Sequence, residues 1–125
     1  MKKKPQKKTG LGRVFYAFIY SCNGLWHAIR NETAFTQECC IIAGFTVLLF
    51  FLPLPATIKM ILFLANALIL ITELLNSALE AIVDKVSPEY HLLAKQAKDM
   101  GSAAVFISQV VAAIFWIYAI YLVVF

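Results

Sequence analysis

The sequence predicts an all-α integral membrane protein, with three transmembrane helices preceded by an amphipathic helix on the membrane surface. Three observations carry that prediction. Of the 125 residues, 62% are hydrophobic and only 14% are charged, which is more apolar surface than a water-soluble domain of this size could bury. Long apolar runs are interrupted at Pro53-Leu54-Pro55 and by the charged segment 80–99. Ahead of them, residues 11–30 repeat apolar side chains at spacings of three and four, the period of one helix face.

Residues 1–10 read as a disordered basic tail. Lys2, Lys3, Lys4, Lys7 and Lys8 crowd it, within a formal net charge of +4, and anionic headgroups attract such a cluster. No folded basic surface accompanies the tail, so nucleic acid is not an expected partner. Residues 11–125 read as a single domain. Leu11, Val14, Phe15, Phe18, Ile19, Cys22, Leu25, Trp26 and Ile29 take one side of the first helix, and Arg13, Tyr16, Tyr20, Asn23, Gly24, His27 and Arg30 the other. A helix so divided lies in the membrane interface; docking on a protein core is the alternative. No signal peptide is expected, because Asn23, His27 and Arg30 interrupt this segment and a cleavage signature is lacking. Cys22, Cys39 and Cys40 show no CxxC spacing and are expected to be buried small apolar residues rather than disulfide or zinc ligands.

The first span is expected over about residues 34–52, with Gln37 and Glu38 near its cytoplasmic end. Pro53 and Pro55 stop it in a tight turn. The second span runs over about 56–86. Ser87 and Pro88 then read as an N-cap and first helical residue, opening a helix or helical turn over 89–99 with His91, Lys95, Lys98 and Ser102 on one face. The third span covers about 100–124, where Gly101-Ser102-Ala103-Ala104 allows close helix contact. Trp116, Tyr118 and Tyr121 suit the far interface or an aromatic core. Lys85, Lys95 and Lys98 join the N-terminal lysines on one side, against Lys59 on the other. The positive-inside rule therefore puts the N-terminus in the cytoplasm and the C-terminus outside.

The chemistry concentrates on residues 66–84. At about 100° per residue, Asn66, Glu73, Asn76, Glu80 and Asp84 fall within an arc of roughly 80° on one helix, with Ser77 beside them. A carboxylate there must face a partner, a metal or a watered cavity rather than lipid. Helix packing is an alternative for Asn66 and Ser77, and solvation for Asp84 beside Lys85. Residues 57–72 rise about 24 Å, so Glu73 sits just inside the cytoplasmic boundary of a ~30 Å hydrocarbon core, and Glu80 about 10 Å further towards water. Glu32 and Glu80 are hard oxygen ligands of the kind Mg²⁺ takes. Lys98 is either a point charge for a polyphosphate or a topogenic cation. Glu73 is placed to accept a proton from a hydroxyl at headgroup level. Neither GxGxxG nor GxxxxGK[ST] occurs, so any ATP chemistry proceeds without a standard nucleotide fold.

Glu73-Leu74-Leu75-Asn76-Ser77-Ala78-Leu79-Glu80-Ala81-Ile82-Val83-Asp84 resembles the ExxNSAxExxVD signature of the small bacterial membrane diacylglycerol kinases. Asn31-Glu32-Thr33-Ala34-Phe35-Thr36-Gln37-Glu38 resembles their NExAFxQE, and Ala97-Lys98-Asp99-Met100-Gly101-Ser102-Ala103-Ala104 their AKDMGSAA. Glu89-Tyr90-His91, and Tyr20-Ser21 with Gly24-Leu25, extend the likeness over nearly everything after the basic tail. The resemblance implies a homotrimer with active sites shared between subunits, phosphorylating diacylglycerol to phosphatidic acid with ATP and Mg²⁺. It implies Glu73 as general base with Asn76 in support, and Glu32 and Glu80 as metal ligands. Arg13, Tyr20, Glu32, Glu80, Glu89, Tyr90, His91, Lys98 and Asp99 would contact the nucleotide. Ala17, Ser21, Gln37, Glu38, Glu73 and Ser102 would lie along the lipid path. Leu92 follows His91 where such kinases carry Glu, and the run 90–95 leans towards the related undecaprenol kinases; NExAFxQE with Gln37 favours diacylglycerol. From another class, a small oligomeric proton-coupled channel or carrier would use Glu73 as its protonation site.

Overall fold

The computed structural model describes residues 2, 6, 7 and 9–125. The tail expected over residues 1–10 therefore falls partly on Met1, Lys3, Lys4, Pro5 and Lys8, outside the described residues. Four helices follow in order: α1 (Leu11–Asn31), α2 (Thr33–Phe51), α3 (Ala56–Val86) and α4 (Leu92–Val124). Among the described residues there is no strand.

Gly10 leads into α1 at φ 68°, a backbone region that favours glycine. Ala28 is the one buried residue that α1 contributes, while Leu11, Val14, Phe15, Phe18, Leu25, Trp26 and Ile29 are exposed. Packed chiefly on α2, α1 keeps its apolar face off the protein core, as an interfacial helix does. A single extended residue, Glu32 (φ −106°, ψ 101°), joins α1 to α2. That corner is tied by the Glu32 N–H donating to the Ala28 carbonyl at 2.9 Å and the Thr36 hydroxyl donating to the Ile29 carbonyl at 2.7 Å.

Three helices, α2, α3 and α4, are long and apolar enough to cross a membrane, and the chain is an integral membrane protein. Their 19, 31 and 33 residues correspond to about 28, 46 and 50 Å. With a ~30 Å hydrocarbon core to cross, α3 and α4 both overshoot it. The seam between helices is narrow and periodic. Phe35, Ile42 and Leu49 of α2 are buried, as are Leu62, Ala65, Asn66, Ile69 and Glu73 of α3 and Val105, Ser108, Ala112, Trp116 and Ala119 of α4. Small residues at Ala65, Ala112 and Ala119 let backbones approach, where dispersion and hydrogen bonds replace the hydrophobic drive that lipid removes. Asn66 is part of this seam, its Oδ1 accepting from Trp116 Nε1 at 2.9 Å.

Trp116 is buried, its ring tilted against that of Phe45 at 4.9 Å between centroids, which meets the aromatic-core alternative rather than the far-interface one. Three expectations change. Ser87 does not open a helix: it ends α3, its N–H donating to the Val83 carbonyl and its hydroxyl to that of Glu89. The next helix is instead capped by His91, whose Nδ1 accepts from Leu93 N at 3.2 Å, and runs unbroken from Leu92, so the segment expected over 89–99 and the third span are one element. The cysteines are not buried: Cys22 and Cys40 are exposed and Cys39 half-buried, all three as free thiols.

Candidate active site

The polar face of α3 is graded along its length. Asn66 and Glu73 are 3% and 8% exposed, Asn76 and Glu80 are half-buried, and Asp84 is exposed. The face thus emerges from between the helices at the level of Glu73, where the apolar run ends. No described residue donates a hydrogen bond to the Glu73 carboxylate, which feels the like charges of Glu38 on α2 and Glu80 on α3. The residue is buried while its carboxylate oxygens are not fully enclosed, which leaves their acceptor sites open to a hydroxyl.

The neighbouring carboxylates are oriented. Glu80 Oε1 accepts from Asn76 Nδ2 at 3.3 Å, which ties Asn76 to the expected metal ligand. Asn76 Oδ1 is buried without a hydrogen bond and lies against Gly101 of α4, where any Cβ would collide with it. Glu38 Oε1 accepts from Gln109 Nε2 of α4 at 2.7 Å. One residue along α4, the Ser108 hydroxyl meets that of Thr72 at 2.9 Å. Gln109 and Ser108 were missed by sequence reasoning, although a lone amide in an otherwise apolar span is itself a signal of a polar contact.

Most of the other expected site residues fall into three clefts. Glu89, Tyr90, His91, Lys98 and Asp99 line one of about 420 Å³ at the α3–α4 corner, with Asp84 on its rim. There Lys98 Nζ lies 2.8 Å from Asp84 Oδ1, and Lys95 Nζ 2.5 Å from Asp99 Oδ2, so Asp84 is ion-paired rather than simply solvated. Ser21 and Glu32 line a second cleft of about 540 Å³ against Leu74, Ser77 and Ala81 of α3. Arg13, Ala17 and Tyr20 line a third, of about 660 Å³, made by α1 and the residues before it. The Ser21 hydroxyl is turned back onto the Ala17 carbonyl at 2.9 Å. Gln37 and Ser102 are exposed.

Glu32 and Glu80 carry oxygen donors of the kind a divalent cation takes. Among the described residues no group of three or more His, Cys, Asp or Glu side chains gathers into a cage; Mg²⁺ takes one or two carboxylates and completes its shell with substrate phosphates and water. Glu80 offers an oxygen beyond the one held by Asn76, and Glu32 stands half-buried at the α1–α2 corner.

The chain is 44% identical over 108 residues to the diacylglycerol kinase of Escherichia coli (strain K12), covering 86% of this chain and 88% of that one. It is 42% identical over 111 residues to the diacylglycerol kinase of Haemophilus influenzae, covering 88% and 93%. For the diacylglycerol kinase of Pseudomonas aeruginosa the figures are 42% over 109 residues, covering 87% and 89%. With residues 19–120 also matching the family profile described as prokaryotic diacylglycerol kinase, the chain belongs to that family.

Proposed function

We propose that this chain transfers the γ-phosphoryl group of ATP to the primary hydroxyl of diacylglycerol, giving phosphatidic acid at the cytoplasmic face of a bacterial inner membrane. The observation that carries the reading is Glu73, a residue buried between the long apolar helices whose carboxylate has no hydrogen-bond donor among the described residues; helix rise puts it near the level of a lipid hydroxyl. In the reaction Glu73 takes the hydroxyl proton as the lipid oxygen forms its bond to the γ-phosphorus. The bond from that phosphorus to the β–γ bridging oxygen breaks, and ADP leaves with the electron pair. Such transfer depends on positioning and charge neutralisation more than on covalent help. Lys98, with His91 and Tyr90 at the same cleft, would hold the nucleotide. Glu32 and Glu80 would hold Mg²⁺, which when bound neutralises charge on the phosphates. Glu38, fixed by Gln109, would border the lipid path.

The lysine distribution supports a cytoplasmic N-terminus and a periplasmic C-terminus. A homotrimer with shared sites is what the family resemblance implies, and sharing is supported by Arg13 and Tyr20 lining a different cleft from Lys98 within one chain. The test is purified protein in vesicles with labelled ATP and Mg²⁺, offered diacylglycerol or undecaprenol separately. Label entering phosphatidic acid is expected. Label entering only undecaprenyl phosphate would reassign the acceptor, and label in neither would sink the kinase reading.

A further inference from the structure

We infer that Asp84 is a positioning residue for the nucleotide: it draws the Lys98 ammonium across from α4 and fixes it over the cleft at the α3–α4 corner. The inference rests on the lipid-kinase reading above and deepens it. Asp84 follows Glu80 by one turn and would, beside Lys85, be an ordinary solvated end of a helix. Its Oδ1 instead lies 2.8 Å from Lys98 Nζ, a contact bridging 14 residues of chain.

Stability is a poor explanation for that pair. Its side chains are 40% and 65% exposed, and ion pairs so exposed contribute little to folding. What the pair does supply is geometry. A lysine ammonium rides on a flexible four-carbon stem and carries three donors. Asp84 engages one of them, which fixes the nitrogen and leaves two for phosphate oxygens. The other lysine of this stretch is held differently, since Lys95 is paired to Asp99 one turn along its own helix. Lys98 is thus the cation drawn across to α3. The Asp84–Lys98 contact closes the corner whose connecting residues include Glu89, Tyr90 and His91, all lining the same cleft. Lys98 also lies within electrostatic reach of Glu80, the proposed metal ligand. One carboxylate therefore sets where the cation stands relative to both the cleft and the metal-holding face.

The test compares kcat and KM for ATP, together with the thermal unfolding midpoint, in the wild-type protein and the Asp84→Asn and Asp84→Glu variants in vesicles. Released from its anchor, Lys98 keeps its charge but loses its placement. Asp84→Asn should therefore lower kcat by about tenfold while KM for ATP stays within about threefold, because misplacement costs rate more than charge attraction. Its unfolding midpoint should be unchanged, and Asp84→Glu should recover at least half of the lost turnover. A wild-type kcat in Asp84→Asn, or a fall in kcat tracking a fall in midpoint, would overturn the assignment while leaving the kinase reading intact. Tighter ATP binding with undiminished kcat would also overturn it, marking Asp84 as a competitor for the lysine. No transfer to diacylglycerol by the wild-type protein would remove the reading and the inference together.

Discussion

Glu73 and Glu80 stand seven residues apart on one helix face and are predicted to fail in different ways. Glu73→Gln keeps the size and hydrogen-bonding capacity of the side chain but removes its ability to take a proton. Turnover should fall by about 10²–10⁴-fold, the usual worth of a positioned base, while the detergent-solubilised oligomer elutes unchanged; near-normal turnover would strip Glu73 of its role. Glu80→Gln leaves the base in place and weakens an oxygen donor. The Mg²⁺ concentration for half-maximal rate should rise at least about tenfold, and an unchanged metal titration would rule out ligation by Glu80. The shared face of these residues was legible because spacings of 7, 3, 4 and 4 return to one side of a helix. Their partners were not. Gln109 lies 71 residues from Glu38 and Trp116 lies 50 from Asn66, and no periodicity within one helix reveals what another brings to it.

Helices α1, α2 and α3 could be read from apolar spacing and from the two prolines at 53 and 55, whereas the start of α4 could not. Ser followed by Pro is a helix-opening signature, yet here Ser87 has its N–H and hydroxyl committed to closing α3 and bridging to Glu89. A histidine side chain took over as cap, a role outside the usual preference for Ser, Thr, Asp and Asn. The small-residue stretch at the top of α4 was legible as a close contact, but its target was not. Gly101 abuts the Asn76 amide, which in turn holds Glu80. Gly101→Ala should therefore act twice. Overpacking should cost about 1–3 kcal/mol, read as a lowered unfolding midpoint, and displacement of Asn76 should raise the Mg²⁺ requirement in the same direction as Glu80→Gln. An alanine variant with wild-type midpoint and metal titration would show that α3 and α4 are not pressed together at this level.

Taken as a whole molecule, one chain places the expected site residues in separate clefts. Large apolar side chains such as Phe50, Phe63, Leu64, Ile117 and Ile120 face outward from the three spans, as they would towards lipid or further copies of the chain. Within one chain the cleft holding Arg13 and Tyr20 is built from α1 and the residues before it. The cleft holding His91 and Lys98 belongs to the α3–α4 corner. The two sets line different clefts of one chain, and we propose that the α1 set gripping a given nucleotide comes from a neighbouring copy. Complementation tests this directly. Arg13→Glu and Glu73→Gln should each be inactive alone. Mixed in equal amounts, unfolded and reassembled together, they should regain activity, because some sites pair an intact Arg13 from one copy with an intact Glu73 from the next. In a closed ring with random mixing, each site has about a one-in-four chance of drawing both intact residues, so recovery should approach a quarter of the wild-type rate. Sites contained within single chains would recover nothing at any mixing ratio. A bell-shaped dependence on the ratio, peaking at equal amounts, is the signature that separates sharing from contamination by either parent.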